Sequence, residues 1–297
     1  MGGLSFSDRA ARSVWRLFPK RALSSAIGWG ANCGIPAALR VTVLTRFART
    51  YGIDVSEAEK PLTEYAGLDD FFTRRLREGA RPVDQAIDAV VSPADGTVVE
   101  CGLAEEGHLI QAKGIPFTLG QLLDDEALAV RFRGGAYLTT YLSPRDYHRV
   151  HSPVAGGVIG WRYIPGVLFP VNAGSVRREP GLFVRNERFV SVVDGEAGLT
   201  AVVMVAAVGV GHVTASYDAD VATHGANFQR AGVRHRQYAT PRPIARGGEL
   251  GIFHMGSTTI ALFEPGRVVL DALPAGAATK MGMRVGRIAG GRQGSES

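Results

Sequence analysis

The chain has 297 residues, 45% of them apolar and 21% charged, and carries a net charge of +5. That balance supports one large or two small folded domains and excludes a disordered chain. Two cysteines, Cys33 and Cys101, exclude a disulfide framework and, without C-x-x-C spacing, a cysteine zinc site, which fits a reduced intracellular compartment.

The charge is uneven. Residues 1–50 hold eight basic side chains and one acid, Asp8, a balance of +7 that leaves −2 for the remainder. Arg9, Arg12, Arg16 and Lys20 stack along one side of a predicted helix, with Val14, Trp15, Leu17 and Phe18 between them. Two more helices are predicted, over 22–29 and from Pro36 through Tyr51; proline suits a first helical position, where its missing N–H costs nothing. Such a basic amphipathic segment fits either docking at an anionic membrane surface or an ordinary solvated face over a packed one. No aromatic-laced basic groove accompanies it, which argues against a nucleic-acid partner. No secretory signal pattern opens the chain, and Phe6 stands where a myristoylation motif needs Ser or Thr. The most apolar run, Leu199–Gly211, falls short of the ~20 residues a membrane span needs.

Residues 68–76 read as a short amphipathic helix that closes near Gly79. From Val90 onward, short β-branched runs alternate with turn dipeptides such as Gly134-Gly135, Asp194-Gly195 and Pro265-Gly266, the pattern of an antiparallel sheet system. One helix over 119–128 interrupts it, and residues 290–297 are expected to fray. The predicted fold class is α+β: an N-terminal amphipathic helical region over 1–80, then a largely antiparallel β-sandwich or barrel-like body over 81–297.

Four clusters in the β region could carry chemistry. Asp95-Gly96 reads as a turn on its own. His148 and His151 lie three apart in Ser143-Pro144-Arg145-Asp146-Tyr147-His148-Arg149-Val150-His151; they fit a structural pair, acid–base work near neutral pH or a metal site, although no third metal ligand is evident. Gly256-Ser257-Thr258 is a common loop tripeptide and lacks the second glycine of a nucleophile elbow. Gly209-Val210-Gly211 lacks the third glycine of a dinucleotide fingerprint.

Taken in order, these clusters resemble the phosphatidylserine decarboxylase family, most closely its bacterial, membrane-associated branch. Ala94-Asp95-Gly96, Ile110-Gln111-Ala112-Lys113-Gly114, the histidine-bearing stretch from Thr139 to His151, Phe169-Pro170-Val171-Asn172, Phe183 to Arg188 and Gly256-Ser257-Thr258 carry the resemblance, which runs from about residue 10 to residue 287. Met255 departs from the leucine common before this Gly-Ser-Thr, a conservative apolar change.

The resemblance implies a proenzyme that cuts its own backbone between Gly256 and Ser257, leaving chains 1–256 and 257–297 associated. By similarity His151 is the base for the Ser257 hydroxyl and Asp95 orients and charge-balances it, a Ser–His–Asp relay. Ser257 becomes a covalent pyruvoyl group, the only cofactor implied, with no metal; it takes the substrate serine as a Schiff base and accepts the electron pair left by CO₂. His148 is the candidate proton donor, Asp146 a loop-fixing residue, and His212, His224, His235 and His254 have no assigned role. Phosphatidylserine is the implied substrate and phosphatidylethanolamine the product. The implied partners are an anionic membrane surface, met by the 1–80 region on the cytoplasmic face, and a second copy of the chain. Trp161 and Phe169 are candidates to line an acyl path. Two alternatives stay open: a pyruvoyl decarboxylase of another serine lipid or amino acid, and a non-catalytic membrane-binding β-sandwich.

Overall fold

A computed structural model describes residues 35–111, 116–171, 173–176, 179–207, 212–223, 232–254 and 257–290. The helices predicted over 9–20 and 22–29, together with Asn172, His224, Met255 and Gly256, lie outside the described residues. Helix α1 (Ala37–Tyr51) takes Pro36 as its cap and ends where Gly52 turns left-handed, with the Gly52 N–H on the Ala48 carbonyl. Leu44 and Ala48 face inward and join Ile53, Tyr65 and Phe71 in a small core of their own. Helix α2 (Leu68–Phe72) is shorter than predicted. The Thr73 N–H and Oγ1 both return to the Asp69 carbonyl, at 2.9 and 2.8 Å, and close the helix well before Gly79.

Strands β1 (Ala89–Val91), β2 (Gly96–Leu103), β3 (His108–Ile110) and β4 (Pro116–Thr118) follow. The single helix predicted over 119–128 is two, α3 (Leu119–Leu123) and α4 (Glu126–Phe132). Thr118 and Gln121 form a reciprocal capping box on α3, Asp124 breaks the helix in a left-handed conformation, and the Asp125 carboxylate caps α4. The chain continues through β5 (Ala136–Leu142), β6 (Arg149–His151), β7 (Gly156–Ile164), α5 (Ala173–Val176) and α6 (Leu182–Arg185). It ends in β8 (Arg188–Gly195), β9 (Gly198–Ala206), β10 (Val213–Ala215), β11 (Asp218–Ala222), β12 (Arg234–Ile244), β13 (Glu249–Phe253), β14 (Ser257–Phe263), β15 (Val268–Leu270), β16 (Ala278–Thr279) and β17 (Arg284–Ile288).

The largely antiparallel α+β body is the one predicted, with open sheets in place of a closed barrel. Eight strands form the main sheet in the order β12-β7-β8-β9-β14-β5-β2-β16, and each neighbouring pair is antiparallel. A four-stranded sheet, β11-β10-β13-β6, and a three-stranded one, β1-β17-β15, pack on one face. Helices α3, α4 and α6 cover the other. The central strands are therefore buried on both sides. In β9, Val202 and Met204 point to the small sheets while Ala201, Val203 and Val205 point to the helices. Most of the apolar run from Leu199 is accounted for by this doubly covered strand.

Candidate active site

Ser257 opens β14, directly opposite Leu142 of β5 and Ala206 of β9. Leu142, Ala261 and Phe263 belong to the core under the small sheets, so the period-two alternation turns Ser257 and Thr259 toward that side. There β13 carries the chain to the motif. The Phe253 N–H donates to the His148 carbonyl at 2.9 Å, which puts the histidine loop against the strand that ends four residues before Ser257. The Ser257 hydroxyl is fully buried and has no hydrogen-bond partner among the described residues.

Both motif histidines are buried. His151 Nδ1 lies 2.8 Å from the Gly247 carbonyl and His148 Nδ1 lies 2.8 Å from the Asp146 carbonyl. A carbonyl only accepts, so in each ring Nδ1 carries the proton and the neutral form leaves Nε2 as a bare lone pair. Neither Nε2 has a partner among the described residues. Burial pushes both pKa values down, that of His148 to about 3, so both are neutral near pH 7. Phe72 of α2 lies 3.9 Å from the His148 ring, centroid to centroid, and Tyr147 lies 5.6 Å from that of His151. Asp146 fixes the preceding turn, accepting from the Ser143 N–H and hydroxyl at 2.7 and 2.6 Å.

Asp95 is placed differently from the relay geometry that the resemblance implies. Its carboxylate is fully buried and accepts from Arg81 (Nη2 at 2.6 Å, Nε at 2.9 Å), the Met281 N–H at 2.9 Å and Lys280 Nζ at 3.2 Å. It makes no hydrogen bond to His151, whose Nδ1 is taken by Gly247. The loop bearing Asp95 does touch His151, whose N–H donates to the Pro93 carbonyl at 2.8 Å, and the Asp95 charge favours the protonated imidazole through space. Burial alone would raise the Asp95 pKa, but the Arg81 and Met281 hydrogen bonds and the Arg81 and Lys280 charges outweigh it and hold it below the usual range. Gly96 is a strand residue, not a turn: a Cβ there would sit 2.3 Å from the Tyr141 carbonyl oxygen.

Sequence reading missed Glu249. It stands directly across from His151 in the β6–β13 pairing, so the two side chains share a face. Its carboxylate accepts from Arg149 Nη1 at 2.9 Å and from the Ser216 hydroxyl. Among neighbouring charges, that of Glu249 acts on His151 more strongly than that of Asp95. A carboxylate immediately after the Gly247-Gly248 pair is the only trace of it in the sequence. Trp161, a candidate for an acyl path, is instead buried in the core with its indole N–H on Asp218 at 2.9 Å.

Residues 68–287 match the phosphatidylserine decarboxylase family. The chain is 49% identical over 265 residues to a phosphatidylserine decarboxylase proenzyme of Anaeromyxobacter sp. (strain K), covering 89% of this chain and 93% of that one. It is 44% identical over 283 residues to that of Myxococcus xanthus (95% and 99%) and 42% identical over 270 residues to that of Bordetella avium (89% and 90%). With matches of this length and identity, the chain belongs to the phosphatidylserine decarboxylase family.

Proposed function

We propose that this protein decarboxylates phosphatidylserine to phosphatidylethanolamine after cutting itself between Gly256 and Ser257. The observation that carries the reading is a pair of buried groups without hydrogen-bond partners among the described residues: the Ser257 hydroxyl at the start of β14, and His151 Nε2 in β6, the strand paired with β13. A buried polar atom without a partner carries a desolvation cost, and a catalytic role is one reason for a fold to retain it.

In the proposed maturation, His151 Nε2 takes the Ser257 hydroxyl proton and Oγ attacks the Gly256 carbonyl, so the amide becomes an ester and the proton passes to the freed nitrogen. Loss of the Ser257 α-proton then expels the Gly256 carboxylate. Tautomerisation to an imine and hydrolysis by one water release ammonia and leave an α-keto acyl group on the 41-residue chain 257–297. That pyruvoyl group supplies an electron sink for the pair freed when CO₂ leaves. His148 serves as the acid that returns a proton to the substrate carbon. Since its Nε2 is bare in the neutral ring, it takes a proton from the substrate before giving one back.

The substrate sits in a bilayer, and α1 is suited to reach it. Leu39 and Val43, one turn apart, are exposed beside Arg40 and Arg46 on a helix whose inner face is already packed. We assign α1 to peripheral docking at an anionic membrane surface. No helix among the described residues is long and apolar enough to cross a membrane.

Intact-mass measurement of purified protein tests the whole reading. The expected masses are those of residues 1–256 and of residues 257–297 less one ammonia. A fully active preparation consisting of the uncut chain would overturn it.

A further inference from the structure

Histidines that no motif supports converge just upstream of the proposed cut. The His254 N–H donates to the His212 carbonyl at 3.1 Å, and its ring stacks on that of His212, 3.9 Å between centroids and 8° from parallel. His254 Nε2 lies 3.4 Å from Thr214 Oγ1. Its Nδ1 lies 2.9 Å from Asp69 Oδ2 and, facing a carboxylate, donates to it. Backbone, ring face and both ring nitrogens of this residue are thus engaged. Three residues on, Ser257 is locked between two strands.

Asp69 reaches this place from α2, and α2 is itself anchored. Phe71 lies in the small N-terminal core with Leu44 and Tyr65, while Phe72 covers the His148 ring. The Thr73 carbonyl accepts from Arg149 Nε at 2.9 Å.

We propose that the Asp69–His254 hydrogen bond positions the chain for self-cleavage. With residue 254 tied to the N-terminal helices and residue 257 fixed in the main sheet, the two described residues that flank the proposed cut are both held in place. Intramolecular attack is sensitive to placement: an error of about 1 Å costs roughly 100-fold in rate. Asp69 and His254 act through the backbone and are positioning residues, not catalytic ones. The proposal rests on the self-cleavage reading above.

A double-mutant cycle on the full chain tests it, with the uncut fraction followed in time after synthesis by denaturing electrophoresis. Asp69→Ala and His254→Ala should each slow cutting by about 10-fold or more, and the double variant should be no slower than the slower single one. Asp69→Asn, which keeps an acceptor oxygen, should recover most of the rate. Thermal melting of each variant in a Ser257→Ala background separates lost tethering from lost fold. If Asp69→Ala does not fold, His254→Gln with Asp69→Asn completes the cycle. Folded variants that cut at the wild-type rate, or losses that multiply in the double variant, overturn the tether alone. A wild-type chain that never cuts overturns the self-cleavage reading and the tether with it.

Discussion

The carbonyl of Gly247 accepts the Nδ1 proton of His151 at 2.8 Å, and this bond decides which nitrogen of the imidazole is basic. A backbone carbonyl, supplied by the turn before β13, thus does the orienting work that a carboxylate does in a Ser–His–Asp relay. Replacing His151 by Ala should slow formation of chains 1–256 and 257–297 by about 10²- to 10⁴-fold, the usual worth of a general base. Electrophoresis of the pulse-labelled chain reads this directly; normal processing would remove His151 from the role.

Asp95 acts on His151 by charge and not by contact, which gives a distinguishable outcome for Asp95→Asn. Its loss destabilises the protonated imidazole, so the acid limb of the self-cleavage pH profile should move to lower pH and the plateau should fall as the base weakens. The tautomer, held by Gly247, should not change. The same substitution leaves Arg81 with Glu57 as its remaining ion-pair partner, and denaturant unfolding should show a loss of about 1–3 kcal/mol. An unshifted pH profile would mean that Asp95 is structural only.

Glu249 should matter to the same limb. Glu249→Gln removes the carboxylate across from His151 and leaves the Arg149 charge uncompensated, and both changes lower the His151 pKa. Adding Arg149→Met should move the limb part of the way back. A Glu249→Gln profile that overlays wild type would dismiss the residue.

Acid should destabilise the fold through the buried histidines. His148 has a folded pKa of about 3 against an ordinary 6.5, so as pH falls below 6.5 the unfolded chain binds a proton that the folded one refuses. The stability present above pH 6.5 is lost progressively toward pH 3, and His151, also lowered, adds to the loss. Urea midpoints measured from pH 7 to pH 4 in the Ser257→Ala background should fall, and less steeply when His148→Gln is added.

Docking through α1 predicts that Leu39→Glu with Val43→Glu reduces flotation with phosphatidylserine-containing vesicles, without changing thermal stability, since neither side chain enters the lobe core. Raised salt should weaken wild-type binding. Unchanged flotation would leave residues 1–34 as the remaining candidate anchor.

Local chemistry was readable in the sequence, and long-range pairing was not. Pro36 marked the start of α1, and turn dipeptides marked the strand ends. The helix predicted over 119–128 failed at one residue: Asp124 adopts a left-handed conformation, and two adjacent capping residues divide an unbroken apolar period. The Asp95-Gly96 turn failed because that glycine serves a close approach to Tyr141, which only the folded sheet reveals. Gly247, Glu249 and Asp69 were invisible as site residues because their partners lie 96, 98 and 185 positions away in the chain, and strand pairing for the first two and the packing of α2 for the third bring them together.

Strand β14 sits between β9 and β5 in the interior of the main sheet, and the residues after it pair with β1 and β2 through β17 and β16. A cut before Ser257 would therefore free a new end without freeing a fragment. The small product would be woven through two sheets, and neither piece could keep its shape alone. Once denatured and separated, the short piece would have to thread back between two strands with no covalent guide. Maturation on this plan would spend the protein's ability to refold, much as setting concrete ends any chance of recasting it.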